Sequence, residues 1–261
     1  MKQKFSTLIA LTLVSGSVLA QTAAPAAPEP ESTLTFNAGV VSEYRYRGLA
    51  QSAKKPALQG GLDYAHKSGF YVGAWGSTIN WIKDTPTAPE SAKGPIEIDI
   101  YAGYKGALSE TVSYDIGGLQ YWYAGNTLGN VAGFANANTF ELYGALSVGA
   151  LTAKFSNSLT NTFGNRNSKN SHYFDLSYTL DLGNGLTLVP HVGEQIIKNN
   201  TGLNYTDYAL TLNKDIDGLV LSAAVIGTTF KSRNGAELVL AGSGDKNLSG
   251  TTLVLGLKKN F

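Results

Sequence analysis

The sequence has no cysteine, a single methionine and a formal net charge of only +1 over 261 residues. Without cysteine there can be no disulfide staple, no thiolate zinc site and no lipid anchor on an N-terminal cysteine. The same absence suits a chain that crosses an oxidising periplasm unfolded. A near-neutral balance leaves no basic face for nucleic acid, so no nucleic-acid partner is expected. Beyond the first twenty residues there is no apolar run long enough for a membrane-spanning helix. No metal-ligand spacing and no glycine-rich phosphate loop in a strand-helix context occurs, so no cofactor or metal is expected.

What the chain does hold is 30 glycines and 14 tyrosines, with many Thr and Asn, a composition that favours strands. Residues 1–20 read as a cleaved signal peptide. Lys2 and Lys4 form the charged start, Leu8 to Leu19 the apolar stretch, and Val18-Leu19-Ala20 the small-residue cleavage site. Residues 21–32 are Ala/Pro-rich and read as a disordered linker, with a docking peptide as the alternative. From Thr33 onward the apolar residues recur with period two, broken by turn residues. The clearest stretch is Ile96 to Lys105, where Ile96, Ile98, Ile100, Ala102 and Tyr104 oppose Glu97, Asp99, Tyr101, Gly103 and Lys105. A soluble sandwich could bury neither face without hiding charge, whereas a barrel in lipid has a wet interior.

The first such stretch sets Leu34, Phe36, Ala38, Val40, Tyr44 and Tyr46 against Asn37, Gly39, Glu43, Arg45 and Arg47. The last sets Leu253, Leu255, Leu257 and Phe261 against Thr252, Val254, Gly256, Lys258 and Asn260. Lys259 breaks the apolar face, and snorkelling toward headgroups accounts for it. Gly183-Asn184-Gly185 reads as a hairpin turn, and Pro190 as a local irregularity because it lacks a ladder donor. Tight turns alternate with longer loops. The fold class is therefore all-β: a transmembrane antiparallel up-and-down barrel of about twelve strands over 33–261, after the signal peptide and linker. A secreted β-sandwich is the alternative. The outward Tyr64, Tyr104, Tyr114, Tyr178 and Phe261 fall near one rim, and Tyr44, Tyr46, Trp122, Phe140 and Tyr208 near the other, as two aromatic girdles. The longer loops are basic, with Lys54, Lys55, Lys83, Lys93, Arg166, Lys169, Lys198, Lys231, Arg233 and Lys246. They suit lipopolysaccharide phosphates or are simply solvated.

Val41-Ser42-Glu43-Tyr44-Arg45-Tyr46-Arg47-Gly48, Gln51-Ser52, Pro56 to Tyr64, Gly69 to Trp75 and Glu97 to Tyr104 resemble the TorF family of porins. That resemblance spans essentially the whole mature chain and implies a proteobacterial outer-membrane barrel. The ending on Phe261 looks like the final strand of such barrels, which implies recognition by the outer-membrane assembly machinery.

Twelve strands predict a lumen narrower than that of the large porins. The expected pore-lining and constriction residues are Glu43, Arg45, Arg47, Asp63, Glu97, Asp99, Tyr101, Asp115, Glu141, Asp175, His191 and Asp207. Asp181 joins the inward acids, and Lys105 and Lys154 the inward bases. Acids outnumber bases, which favours small polar or cationic solutes diffusing passively. Arg45 and Arg47 are expected on the closing strand, paired across the lumen with Glu43 and neighbouring carboxylates. The alternative is a non-conducting structural barrel plugged by those pairs. Tyr101, Tyr121, Tyr143 and Tyr173 line a solute path or fill space. An enzyme is not expected: of the three histidines, His66 lies in a turn, His191 points inward, and His172 has no evident serine partner.

Overall fold

The computed structural model describes residues 30–84, 92–229 and 248–261. The signal peptide, most of the linker, and the loop residues Lys231, Arg233 and Lys246 lie outside the described residues. Alternating apolar and polar residues form a single antiparallel sheet that closes on itself. Its staves are Ser32–Val41, Ala57–His66, Phe70–Thr78, Ile96–Ala107, Val112–Ala124, Thr139–Val148 and Leu151–Ser158, then an eighth in two pieces, and then Leu186–Ile196, Tyr205–Ile216, Leu219–Thr228 and Thr252–Asn260. The two pieces of the eighth are His172–Tyr178 and Leu180–Gly183. Thirteen extended segments thus make twelve staves. The first stave begins at Ser32, inside the stretch read as linker, and Glu31 beside it pairs with Lys67 at 2.5 Å.

Closure runs between the first and twelfth staves, with Asn37 opposite Asn260 and Val41 opposite Gly256. Phe261 extends it, donating its N–H to the Phe36 carbonyl at 2.9 Å and accepting from the Phe36 N–H at 3.3 Å. The break in the eighth stave has a covalent cause. Ser177 pairs with His191 and Leu180 with Leu188, so the register sets Pro190, which has no N–H, opposite Tyr178. At Gly183, Asn184 and Gly185 the backbone takes positive φ (83°, 54° and 73°), the conformation that tight hairpin demands.

Short turns at 67–69, 108–111, 149–150, 184–185 and 217–218 lie at one end, and the longer connections at the other. Lys259 needs no snorkelling: its Nζ donates to the Asp217 carbonyl of the last turn at 2.7 Å. Leu34, Phe36, Ile100, Ile116, Leu142, Phe174, Leu210, Leu255 and Phe261 are all exposed on the outer wall. That apolar band is what a lipid-facing barrel requires. Tyr104 and Tyr114 stack at 6.5 Å beside the turn end, while Trp122 and Tyr208 are exposed toward the loop end. No helix among the described residues is long and apolar enough to cross a membrane.

Inside, tyrosines lie flat over glycines of the neighbouring stave. Tyr101 pairs with Gly73 and Tyr71 with Gly103, and Tyr143 pairs with Gly117. A Cβ at Gly103 would stand 2.3 Å from the Tyr71 hydroxyl oxygen, and one at Gly117 2.6 Å from that of Tyr143. Glycine opposite an aromatic is a known way to seat a large ring against a sheet.

The first stave departs from its expected course. It ends at Val41, and residues 42–56 turn into the barrel rather than continuing the wall. Arg45–Tyr46 and Leu49–Ala50 form a small hairpin of their own. Its tip residues, Arg47 and Gly48, have φ of 46° and 77°, as a two-residue turn with both central residues at positive φ requires. Tyr44 and Tyr46 are therefore inside and belong to no outer girdle, and Glu43, Arg45 and Arg47 are hairpin rather than strand residues. The excursion is affordable because its backbone groups find partners: Gln51 donates to the Tyr44 carbonyl at 2.8 Å, and Ala50 to that of Leu248 at 3.0 Å.

Candidate functional site

The hairpin meets much of the barrel's inner wall. The Tyr44 hydroxyl donates to Glu97 Oε1 at 3.0 Å, and its ring sits edge-on to Trp75 at 5.4 Å. Tyr46 shares a 2.5 Å hydroxyl contact with Tyr121 and packs edge-on against Phe163. Arg47 reaches further. Its Nη2 donates to Glu141 Oε2 at 2.7 Å, and its Nη1 to Glu141 Oε1 at 3.1 Å and to Gln195 Oε1 at 2.7 Å. The guanidinium also lies 4.1 Å from the centre of the Tyr173 ring. At the tip, a Cβ on Gly48 would strike Thr228 at 2.4 Å and Asp207 at 2.7 Å. The hairpin thus touches the third to sixth and the eighth to eleventh staves and spans the lumen. Arg45 holds its shape, donating to the carbonyls of Gly48 and Gly250 at 2.8 Å each and pairing with Glu43 at 3.0 Å.

The other expected residues gather below the hairpin, toward the turn end. Tyr101 donates to Asp63 Oδ1 at 2.5 Å, and Tyr71 donates to Asp115 Oδ1 at 2.5 Å. Tyr71 and Tyr143 also share a short hydroxyl contact. Lys154 sits over the Tyr143 ring with Nζ 3.9 Å from its centre, and Lys105 over that of Tyr71 at 5.8 Å. His191 Nε2 lies 2.7 Å from Asp175 Oδ2, and its Nδ1 3.6 Å from Asp207 Oδ1. Asp207 also accepts from the Tyr173 hydroxyl at 2.9 Å. Asp181 joins them nearer the turn end, exposed on the second piece of the eighth stave, where its Oδ1 accepts from the Gly183 N–H at 2.8 Å. His66 Nδ1 meets Ser68 within its own turn, at 2.9 Å from its hydroxyl and 3.2 Å from its donating N–H, and His172 packs against the rings of Phe155 and Phe174.

A cavity of about 680 Å³ occupies this space. Its walls run from Ser109, Glu110 and Ala150 at the turn end to Glu43, Arg47 and Asp99 at the hairpin. Above the hairpin, Trp81, Ile82, Leu128 and Phe163 are buried in an apolar cluster with Leu49. Sequence reasoning missed that cluster, and it missed Gln195 as an Arg47 partner. The available signal was the run of apolar residues, Leu49, Ala50 and Ala53, inside a stretch read as a solvated loop.

No curated protein matches this sequence. Among solved structures, the barrel is similar to a KdgM porin in complex with disordered oligogalacturonate, at 7% identity over 88% of this chain and 99% of that one, with a TM-score of 0.53. It is likewise similar to the NanC porin, at 14% identity over 87% of this chain and 99% of that one, with a TM-score of 0.52. Both likenesses show the fold: a closed, twelve-stranded antiparallel barrel of the outer-membrane porin kind. The family described as "Bacterial protein of unknown function (Gcw_chp)" matches residues 23–261, and the chain belongs to that family.

Proposed function

We propose that this protein is an outer-membrane diffusion channel for small polar or cationic solutes, with the hairpin at Glu43–Gly48 as its constriction. The observation that carries the reading is the cavity of about 680 Å³ running from the turn end up to Arg47, in which Lys154, Asp175, Asp181, His191 and Asp207 share the wall with apolar Val189, Val220 and Val254. Glu43, Arg45, Arg47, Glu141 and Asp99 narrow the path. Asp63, Tyr101, Glu97, Asp115, Asp175, His191 and Asp207 line it or hold the residues that do. Acids exceed bases in this set, which favours cations. The KdgM porin's oligogalacturonate is an acidic ligand, and the acid-rich lumen here suits the opposite charge. Exposed Lys54, Lys55 and Lys198 at the loop end suit lipopolysaccharide phosphates, and Phe261 at the closing seam suits recognition by the assembly machinery.

A second reading, a barrel closed at rest, is favoured by the number of staves the hairpin touches and by the buried cluster of Trp81, Ile82 and Leu128 above it. Planar-bilayer recordings separate the two. Small, cation-preferring unitary steps support the channel. A silent but fully heat-modifiable barrel supports the closed form, and a reversal potential showing anion preference overturns the acid-lined selectivity.

A further inference from the structure

The charges around the hairpin do not balance. Four carboxylates lie at its level, Glu43, Glu97, Asp99 and Glu141, with two guanidinium groups, Arg45 and Arg47. Glu43 is taken by Arg45 and Glu141 by Arg47. Glu97 receives the Tyr44 hydroxyl on Oε1 at 3.0 Å and has Tyr123 beside it, but no cation among the described residues pairs with it. Asp99 is 2% exposed, and its Oδ1 has no partner at all. A buried carboxylate without a counter-charge is costly unless it takes up a proton or a cation comes to it.

The surroundings of Asp99 say what kind of cation that is. In register, Asp99 stands between Trp75 on the third stave and Tyr121 on the fifth. All three point inward and, with Tyr44, line the cavity that opens toward the turn end. Glu97 lies two residues along the same strand, on the same face, about 7 Å away at strand spacing. A small, strongly hydrated metal ion is better held by an oxygen cage. A carboxylate flanked by aromatic side chains instead fits a weakly hydrated organic ammonium, whose charge meets the acid and whose methyl or methylene groups meet the rings.

The structure assigns to Trp75, Asp99 and Tyr121, capped by Tyr44, a lumenal binding site for an organic ammonium ion entering from the turn end. This deepens the channel reading and rests on the same lumen. It is tested with the full mature protein in two ways. In planar bilayers, choline added on the turn side at constant KCl blocks the current in a concentration-dependent manner. The half-blocking concentration rises about tenfold in Asp99→Asn, as expected for losing one charge-assisted contact. It rises several-fold in Trp75→Leu, each variant being read against its own unblocked conductance. Calorimetric titration of the detergent-solubilised protein with choline reads the site without any conduction. Heat-modifiable gel mobility confirms that each variant is an assembled barrel, and Glu97→Gln serves if Asp99→Asn does not assemble. A conducting channel whose block by choline is the same in Asp99→Asn, or matched by equal concentrations of sodium, overturns the site and leaves the channel standing. A silent barrel that still binds choline, and loses it in Asp99→Asn, overturns the channel and leaves the site standing.

Discussion

Replacing Arg47 with alanine tests the hairpin's role most directly. The guanidinium gives Glu141 two hydrogen bonds and Gln195 one, and covers the Tyr173 ring at 4.1 Å. After truncation, Glu141 keeps only the long 3.4 Å contact from the Tyr121 hydroxyl, and its charge is left buried. Removing one partner of a buried pair costs about 3–5 kcal/mol. Because each 1.4 kcal/mol is tenfold, the equilibrium between seated and displaced hairpin shifts by at least about a hundredfold toward displacement. Single-channel recording should then show larger or more frequently open unitary steps than wild type. The double variant Arg47→Ala with Glu141→Gln gives the sharper result. Neutralising Glu141 removes the stranded charge, so the double variant should recover part of what the single variant lost, in both denaturation midpoint and channel closure. Wild-type conductance together with a wild-type denaturation midpoint in Arg47→Ala would refute the reasoning. So would a double variant less stable than the single one.

Three further outcomes are expected. Gly193→Ala puts a Cβ 1.9 Å from the Tyr173 hydroxyl oxygen, so the ring must leave Asp207 and Arg47; overpacking of this kind costs about 1–3 kcal/mol, read as a lowered urea midpoint in vesicles. Leu255→Arg puts a cation on the exposed apolar wall and costs about 2–4 kcal/mol if that position lies near the bilayer centre, whereas Thr211→Arg on the inner face costs less in the same assay. Deleting Phe261 removes two closing backbone hydrogen bonds with Phe36, and the fraction of heat-modifiable barrel recovered should fall. Phe261→Ala, which keeps both bonds, isolates the contribution of the ring.

The wall was legible in the sequence because its physics is local. Period-two alternation marks staves such as Ile96–Ala107, whose Glu97 and Asp99 point inward and whose Ile96 and Ile100 point outward. Gly183 and Gly185 mark the hairpin between the eighth and ninth staves, and Pro190 marks the broken eighth stave. The third stave carries aromatics on both faces, with Tyr71 and Trp75 buried inward and Phe70 exposed, and alternation cannot tell an aromatic that faces lipid from one that lies over a glycine inside. The hairpin was illegible for a related reason. Glu43-Tyr44-Arg45-Tyr46-Arg47 alternates like a strand, yet both of its faces are buried within the lumen, and no rule of period two separates a wall from a ribbon crossing it. Only the pairing of Arg47 with Glu141, 94 residues away, shows where it goes.

That crossing explains why the inner acids fall into two sets. Below the hairpin, Asp63 and Asp115 each accept a tyrosine hydroxyl, Asp175 has His191, and Asp207 has both. A polar lumen can keep such charges because phenols or imidazole orient them, and Asp63 and Asp175 are also partly open to the lumen. At the hairpin, two of the four acids are matched by arginines that the chain itself carries inward, and the spacing of the hairpin allows no more. Arg45 is committed to shaping the turn through Gly48 and Gly250, and Arg47 to the far wall. Asp99 is then left facing the cavity between two aromatic residues. A sequence selected only for barrel stability would place Asn or Leu there, since either removes a buried charge at little cost in volume. The acid is therefore not accounted for by what holds the wall together, and the proposed ammonium site is what gives it a role.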